Sequence, residues 1–238
     1  MAQVINTNVG ALFAGAALNK SAIALQVAQQ RLSSGLRINT AKDDATGLVT
    51  ATSYDSKVRG TNVAIRGAAD AISTAQTNDG YAAQIVENLQ RLREIAVQLG
   101  GTASGAETTA LTAENSRIAG LTTAATAVVV DGSGTTKTGV SAVITAPTGT
   151  TVSTIDANIT SVSTNRAQYG ADMATFGSAV ATMQVASVNL SAAYSRIMDT
   201  DYATESTSMT RNQILQQAGT AALAQANQTP NTVLSLLR

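Results

Sequence analysis

Apolar residues recur along this chain at helical rather than strand spacing. Between Ile155 and Ile197, alternate steps of four and three pass through Ile155, Ile159, Val162, Arg166, Tyr169, Met173, Phe176, Val180, Met183, Ser187, Leu190, Tyr194 and Ile197. Only Arg166 and Ser187 interrupt the apolar character. A repeat of 3.5 residues sustained this far predicts one long helix with a single sticky seam, roughly 60 Å long at 1.5 Å per residue. A second seam runs through Ile85, Leu89, Leu92, Ala96 and Leu99. A third is carried by Val58, Ile65 and Ile72 at intervals of seven, with Ala69 between. A fourth has Leu18, Ala22, Leu25 and Leu32. The Asp79-Gly80 pair predicts a turn or helix break between the third and second seams, and "GGTASG" at 100–105 ends the second. A shorter helix is expected from about Thr108 to Ala125, with Leu111, Ile118 and Leu121 on its apolar face.

The middle of the chain changes character. Two β-branched runs, 128–130 and 140–145, flank a Gly/Ser/Thr loop and predict a small β-hairpin within about 127–147, at an exposed tip. The expected fold is therefore mainly α. Long antiparallel helices form a coiled-coil-like bundle with a hairpin mid-chain, and helical arms at the two ends pair with each other.

The ends carry the most unusual pattern. Residues 1–19 and 212–237 contain no charged side chain, yet both keep apolar positions at helical spacing. These include Leu12, Leu18 and Leu25 at one end and Ile214, Leu215, Ala218, Ala221 and Ala222 at the other. The amides Gln213, Gln216, Gln217, Gln225, Asn227, Gln228 and Asn231 make the C-terminal run too polar for a bilayer core, and no segment is expected to span a membrane. The first charge is Lys20, so the N-terminus lacks the basic start of a secretory signal peptide. Disordered tails are usually rich in charge and proline, and these are not. Burial by further copies of the same chain is the better reading.

Composition narrows the chemistry. Fifteen basic and fifteen acidic groups balance to zero, which gives no reason to expect nucleic acid or an anionic membrane as partner. The chain has no cysteine and no histidine, so disulfides, thiolate metal sites and the commonest general base are all missing. "DGSGTTKTG" at 131–139 does not have phosphate-loop spacing. The acidic cluster Asp199, Asp201 and Glu205 reads as a helix junction rather than a calcium loop. No cofactor, metal or catalytic group is expected. At "RLSSGLRINTAKDD", Gly35 suits a turn, Ser33 and Ser34 offer local caps, and Thr40 with Asp43 resembles a capping box, with Asp43 and Asp44 at the positive end of the next helix. In "NLQRLREIAVQ", Leu89, Leu92 and Ala96 lie on the seam, while Gln90, Arg91, Glu94 and Ile95 are expected to face outward.

Three long motifs in order resemble one family. "LNKSAIALQVAQQRLSSGLRINTAKDDATGL", "NLQRLREIAVQ" and the C-terminal "NLSAAYSRIMDTDYATESTSMTRNQILQQAGTAALAQANQTPNTVLSLLR" are similar to bacterial flagellins, over roughly 1–120 and 150–238. The chain resembles a short flagellin without large variable outer domains. The resemblance implies a structural subunit that polymerises into the flagellar filament, with a hook–filament junction protein or a secreted coiled-coil adhesin as alternatives. It implies an inner core of 1–40 with 200–238 and an outer core of 41–199. Inner-core assembly would use Leu12, Leu18, Leu25, Leu32, Ile214, Leu215, Ala218, Ala222, Leu223, Val233, Leu234 and Leu237. Ser33, Ser34, Gly35, Arg37, Asn39, Asp43 and Asp44 would connect the cores. Gln90, Arg91, Glu94, Ile95 and Glu114 would contact neighbouring subunits and form the face read by an animal flagellin-sensing Toll-like receptor. Implied partners are many copies of itself, an export chaperone and the filament cap. Implied localisation is extracellular, after secretion without a cleaved signal peptide.

Overall fold

The computed structural model describes residues 7–123, 127–129, 134–138 and 143–235. Five helices dominate: α1 (Val9–Ser34), α2 (Ala45–Gln98), α3 (Ala106–Ala119), α4 (Val152–Met198) and α5 (Tyr202–Ser235). Strands β1 (Ala127–Val129) and β2 (Thr136–Thr138) pair antiparallel, Ala127 opposite Thr138 and Val129 opposite Thr136. The chain divides into one unit of Met1–Ser53 with Ala192–Arg238 and another of Tyr54–Ser191.

In the second unit, α2 and α4 run antiparallel. Arg93 pairs with Asp156, Asp79 with Arg166, and Asn62 with Ser187. Every member of the α4 seam expected within this unit is buried or half-buried, with Ile155, Val162, Tyr169, Phe176 and Met183 fully inside at intervals of seven. The facing seam of α2 is Thr61, Ala64, Ala68, Ala71, Ala75, Asn78, Ala82, Ile85, Leu89, Leu92 and Ala96, again stepping by three and four. This seam has two halves. The alanine half leaves room for the bulk of Tyr169, Phe176 and Met183. The leucine half is wrapped by α3 through Ile118 and Ala119, and by Ile144. Volume is thus filled by large against small, as close packing requires.

Three expectations are corrected here. The third seam belongs to the alanines: Ile65 and Ile72 flank it half-buried, and Ala69 is exposed. Asp79-Gly80 does not break the helix. Asp79 is held by Arg166, and Asn78 exchanges hydrogen bonds with the backbone of Thr123, at 2.8 Å to its carbonyl and 3.3 Å from its amide. Such tertiary contacts outweigh the cost of a mid-helix glycine, about 1 kcal/mol. The second hairpin strand is Thr136–Thr138; of the expected run 140–145, residues 143–145 are not strand, and 140–142 fall outside those described. Val128 and Val129 pack against Ala64, Ala68 and Met183, which anchors the hairpin on the alanine half.

The break at "GGTASG" occurs where expected. Gly100, Gly101 and Gly105 have φ of 78°, 120° and 111°, conformations in which other residues are strained. The short helix that follows ends at Ala119, so Leu121 lies beyond it and is exposed.

Candidate assembly surfaces

In the first unit, α1 and α5 pack antiparallel. Asn8 donates to the Ala226 carbonyl at 2.8 Å, Arg31 meets Glu205 at 3.6 Å, and the Tyr202 hydroxyl donates to the Leu32 carbonyl at 3.0 Å. The α1 seam is Ala11, Ala14, Leu18, Ser21, Leu25, Ala28 and Leu32; that of α5 is Glu205, Met209, Asn212, Gln216, Gly219, Leu223 and Ala226. Both step by three and four. At Gly219 the helices come close enough that a Cβ would stand 3.2 Å from Leu18 Cδ1. A Cβ there would make the Leu18 side chain give by a few tenths of an ångström, so glycine suits the site by close approach rather than by φ.

This pairing consumes only one face of each helix. Leu12, Phe13 and Ile23 on α1, and Ile214 and Leu215 on α5, remain half or more exposed, Phe13 at 78%. Leu18, Leu25, Leu32 and Leu223 lie in the α1–α5 seam, whereas Leu12, Ile214, Leu215, Ala218 and Ala222 point away from it. The side chains of Val233, Leu234 and Leu237 lie outside the described residues. A groove of about 530 Å³ runs beside the seam, lined by Ala17, Ser21, Leu215 and Ala218 with Lys20 as its single charge. Sequence reasoning missed Phe13, although its place beside Leu12 in a charge-free helix was a usable signal. By length and composition alone α1 is long and apolar enough to cross a membrane, although no segment was expected to span one. Its many alanines raise hydropathy without large side chains.

The connector is a dense hydrogen-bonded knot. Gly35 ends α1 with φ 72°. Leu36 and Asp199 form an antiparallel bridge, Thr200 N–H donates to the Gly35 carbonyl at 2.9 Å, and Arg37 N–H donates to the Met198 carbonyl at 2.6 Å. The Arg37 guanidinium caps α4 by donating twice to the Ile197 carbonyl, at 2.8 and 3.2 Å, satisfying one of the orphan carbonyls at the helix end. Ser34 Oγ accepts from Leu36 N–H; Ser33 is exposed in the last turn of α1. Asp43 Oδ2 gathers the N–H groups of Asn39 and Thr40 and the Thr40 hydroxyl. Those bonds, the Thr40 amide first, hold its carboxyl below the usual carboxylate range. Asp44 Oδ1 accepts from Gly47 N–H at 2.8 Å and caps α2. Of the acidic cluster, Asp201 caps α5 through Ala203 and Thr204, Asp199 accepts from Ser195, and Glu205 meets Arg31. The Thr204 hydroxyl is the main cause of the lowered Asp201 pKa. Ile38, Ala51 and Met198 form a small core under the knot, with Tyr194 against it. Leu36 and Tyr202 were not singled out from sequence, because their partners, Asp199 and Leu32, lie more than 150 positions away; Tyr194 was expected only as a member of the α4 seam.

On the second unit, Gln90, Arg91 and Glu94 are exposed as expected. Arg91 meets Glu94 at 3.0 Å and Glu107 at 2.8 Å, which ties α2 to α3. Glu114 is half-buried and held by Arg117 at 2.6 Å. Ile95 does not face outward. It is buried at 8% beside Ala96, and the exposed apolar residue nearby is Val97. Among the described residues no three metal-ligating side chains cluster.

Long paired helices with unspent apolar faces define a structural protein of the self-assembling kind. The bacterial flagellin N-terminal helical region matches residues 5–138, and the bacterial flagellin C-terminal helical region matches 152–237. The flagellar filament 33 kDa core protein of Treponema phagedenis is 33% identical, covering 99% of this chain and all of that protein. A flagellin of Halalkalibacterium halodurans is 36% identical over 99% of this chain and all of its own length. A flagellin of Salmonella muenchen is 50% identical over 115 residues, 48% of this chain and 23% of that protein. The chain belongs to the bacterial flagellins. As a member of that structural family it is a self-polymerising subunit of the flagellar filament, the extracellular organelle of motility.

Proposed function

We propose that polymerisation buries the outward faces of α1 and α5 against the same helices of neighbouring copies. Residues 1–40 with 200–238 then form the inner core of the filament, and 41–199 form the outer core. The observation that carries this is the exposed set Leu12, Phe13, Ile23, Ile214 and Leu215 on two helices whose wall is nearly free of charge. Residues 33–44 join the cores as a fixed cross-brace. Gln90, Arg91, Glu94 and Glu114 face a neighbour in the outer core, with Ile95 supporting them from beneath. The subunit reaches the filament tip by the flagellar export route, and an export chaperone and the filament cap are its partners on the way.

Purified protein is expected to form tubes under salting-out conditions, which strengthen apolar burial. A chain ending before Gln225 is expected to remain a folded monomer that forms none, by electron microscopy and sedimentation. Tubes from the shortened chain would remove the inner-core assignment. The exposed Arg91 and Glu94, with the half-buried Glu114, also support recognition of the free subunit by the animal flagellin-sensing Toll-like receptor. A reporter cell line carrying that receptor is expected to respond to depolymerised protein, and less to Arg91→Glu; silence toward the parent protein refutes this part.

A further inference from the structure

We propose that α3 is a flap. In the free subunit it swings off the leucine half of α2 as one piece, while the α2–α4 pair stays folded. Its two ends are fixed points. Before it, Ala103 N–H donates to the Thr150 carbonyl at 2.8 Å, Val152 N–H donates to the Gly101 carbonyl at 3.2 Å, and Thr102 and Thr151 form an antiparallel bridge. After it, Asn78 holds the backbone of Thr123, and Ile144 N–H donates to the Thr122 hydroxyl at 3.3 Å. Between these points lie only Ser104 and Gly105, the 14 residues of α3, and Gly120 and Leu121. Gly105, at φ 111°, turns the chain into the helix, and no side chain caps the helix there.

The face that α3 turns inward holds weakly. Its seam steps through Thr108, Leu111, Asn115, Ile118 and Thr122, so polar and apolar residues alternate. Within the helix, Thr108, Asn115, Ile118 and Ala119 are buried, with Leu111 packed beside them. Two of those four are polar, and each keeps a buried atom without a partner, Thr108 Oγ1 and Asn115 Nδ2. Asn115 is wholly buried, and its single bond is the one its Oδ1 accepts from Asn88 Nδ2 at 2.8 Å. A buried polar group left unpaired bears its full desolvation cost, and opening the flap relieves it, roughly tenfold in the opening equilibrium for each group. Among the described residues, the ion pair that ties α3 to α2 is Arg91–Glu107, at 2.8 Å between side chains 50% and 57% exposed, and such exposed pairs add little. A helix this short is marginal by itself in water, so α3 melts once it leaves α2. The α2–α4 seam, with Ile155, Val162, Tyr169, Phe176 and Met183 fully inside, gives no such opening. Elements that move are drawn from the weakly held end of a structure. When α3 lifts, Ile85, Leu89, Leu92 and Ile95, which share one core with Ile118 and Ala119, lose that side of their cover.

Hydrogen exchange of the free, full-length subunit tests this, read by mass spectrometry at several low denaturant concentrations. Peptides from 108–119 are expected to exchange at least about a hundredfold faster than those from 64–75 and 162–183. Their dependence on denaturant is expected to be clearly shallower, because a local opening exposes less surface than global unfolding. Thr108→Val with Asn115→Leu keeps the side-chain volumes and removes both unpaired groups. It is expected to slow exchange in 108–119 by at least about tenfold. Thr108→Val alone, nearly the same shape, is expected to give part of that slowing, and it carries the test where circular dichroism shows that the double variant does not fold. If 108–119 exchanges with the rate and denaturant slope of 162–183, α3 opens only when the whole unit unfolds, and the proposal is overturned. Folded variants that leave the exchange of 108–119 unchanged overturn it equally.

Discussion

Phe176→Ala is expected to destabilise the monomer by about 3–5 kcal/mol, the cost typical of deleting a buried phenylalanine. Phe176 is fully buried in α4, in the seam that packs on the alanine half of α2. The reason to expect the upper part of that range lies in its surroundings. A cavity shrinks when neighbouring side chains can swing into it, and alanines have nothing to swing. The backbone of α2 would have to move instead, and it is tied to α4 on both sides, at Asn62–Ser187 and Asp79–Arg166. Chemical denaturation followed by circular dichroism measures the change. A loss below about 1 kcal/mol would mean that the helices close over the gap, and hence that the seam is far less rigid than its packing implies. Phe176→Leu, which keeps most of the volume, is expected to cost less than about 1.5 kcal/mol.

How much of this was readable beforehand follows from range along the chain. The α4 seam was legible residue by residue, because a heptad repeat is a local property and every one of its members turned inward or half inward. Even its two interruptions were informative: Arg166 and Ser187 are the residues that cross to α2. The alanine seam of α2 was misplaced onto Ile65 and Ile72 because pattern reading follows bulk, and bulk here sits on the partner helix. Local turn chemistry misled at Asp79-Gly80 for a related reason. The groups that keep that helix intact, Arg166 and Thr123, are 87 and 45 positions away. Ile95 was assigned outward from its neighbours Arg91 and Glu94, although α3 covers that side of α2. At the connector, the glycine turn and the aspartate caps were visible locally, whereas the Arg37 cap on α4 spans 160 positions. The unspent faces of α1 and α5 were visible in outline as absence of charge; which residues lie on them needed the pairing itself.

The chain's other phenylalanine supplies the opposite experiment. Phe13→Asp is expected to leave the monomer's stability within about 0.5 kcal/mol, as surface changes usually do, and to abolish polymerisation. Phe13 is 78% exposed in the single chain, so its ring contributes little to folding, and an aspartate there stays solvated. Aspartate is a poorer helix former than phenylalanine by only a small margin. In the proposed assembly the same position would meet a wall almost without charge: α1 carries none before Lys20, and α5 none after Arg211. A carboxylate buried there finds no cation, and an uncompensated buried charge costs about 3–5 kcal/mol. Because the contact repeats in every copy, the critical concentration is expected to rise by at least a hundredfold, each tenfold step being about 1.4 kcal/mol. Sedimentation of tubes against protein concentration reads this directly, with Phe13→Leu as the control that keeps the apolar surface and still assembles. Filaments from Phe13→Asp at the parent's critical concentration would mean that this face of α1 looks onto water in the polymer. The charge-free wall would then need another explanation than burial between copies.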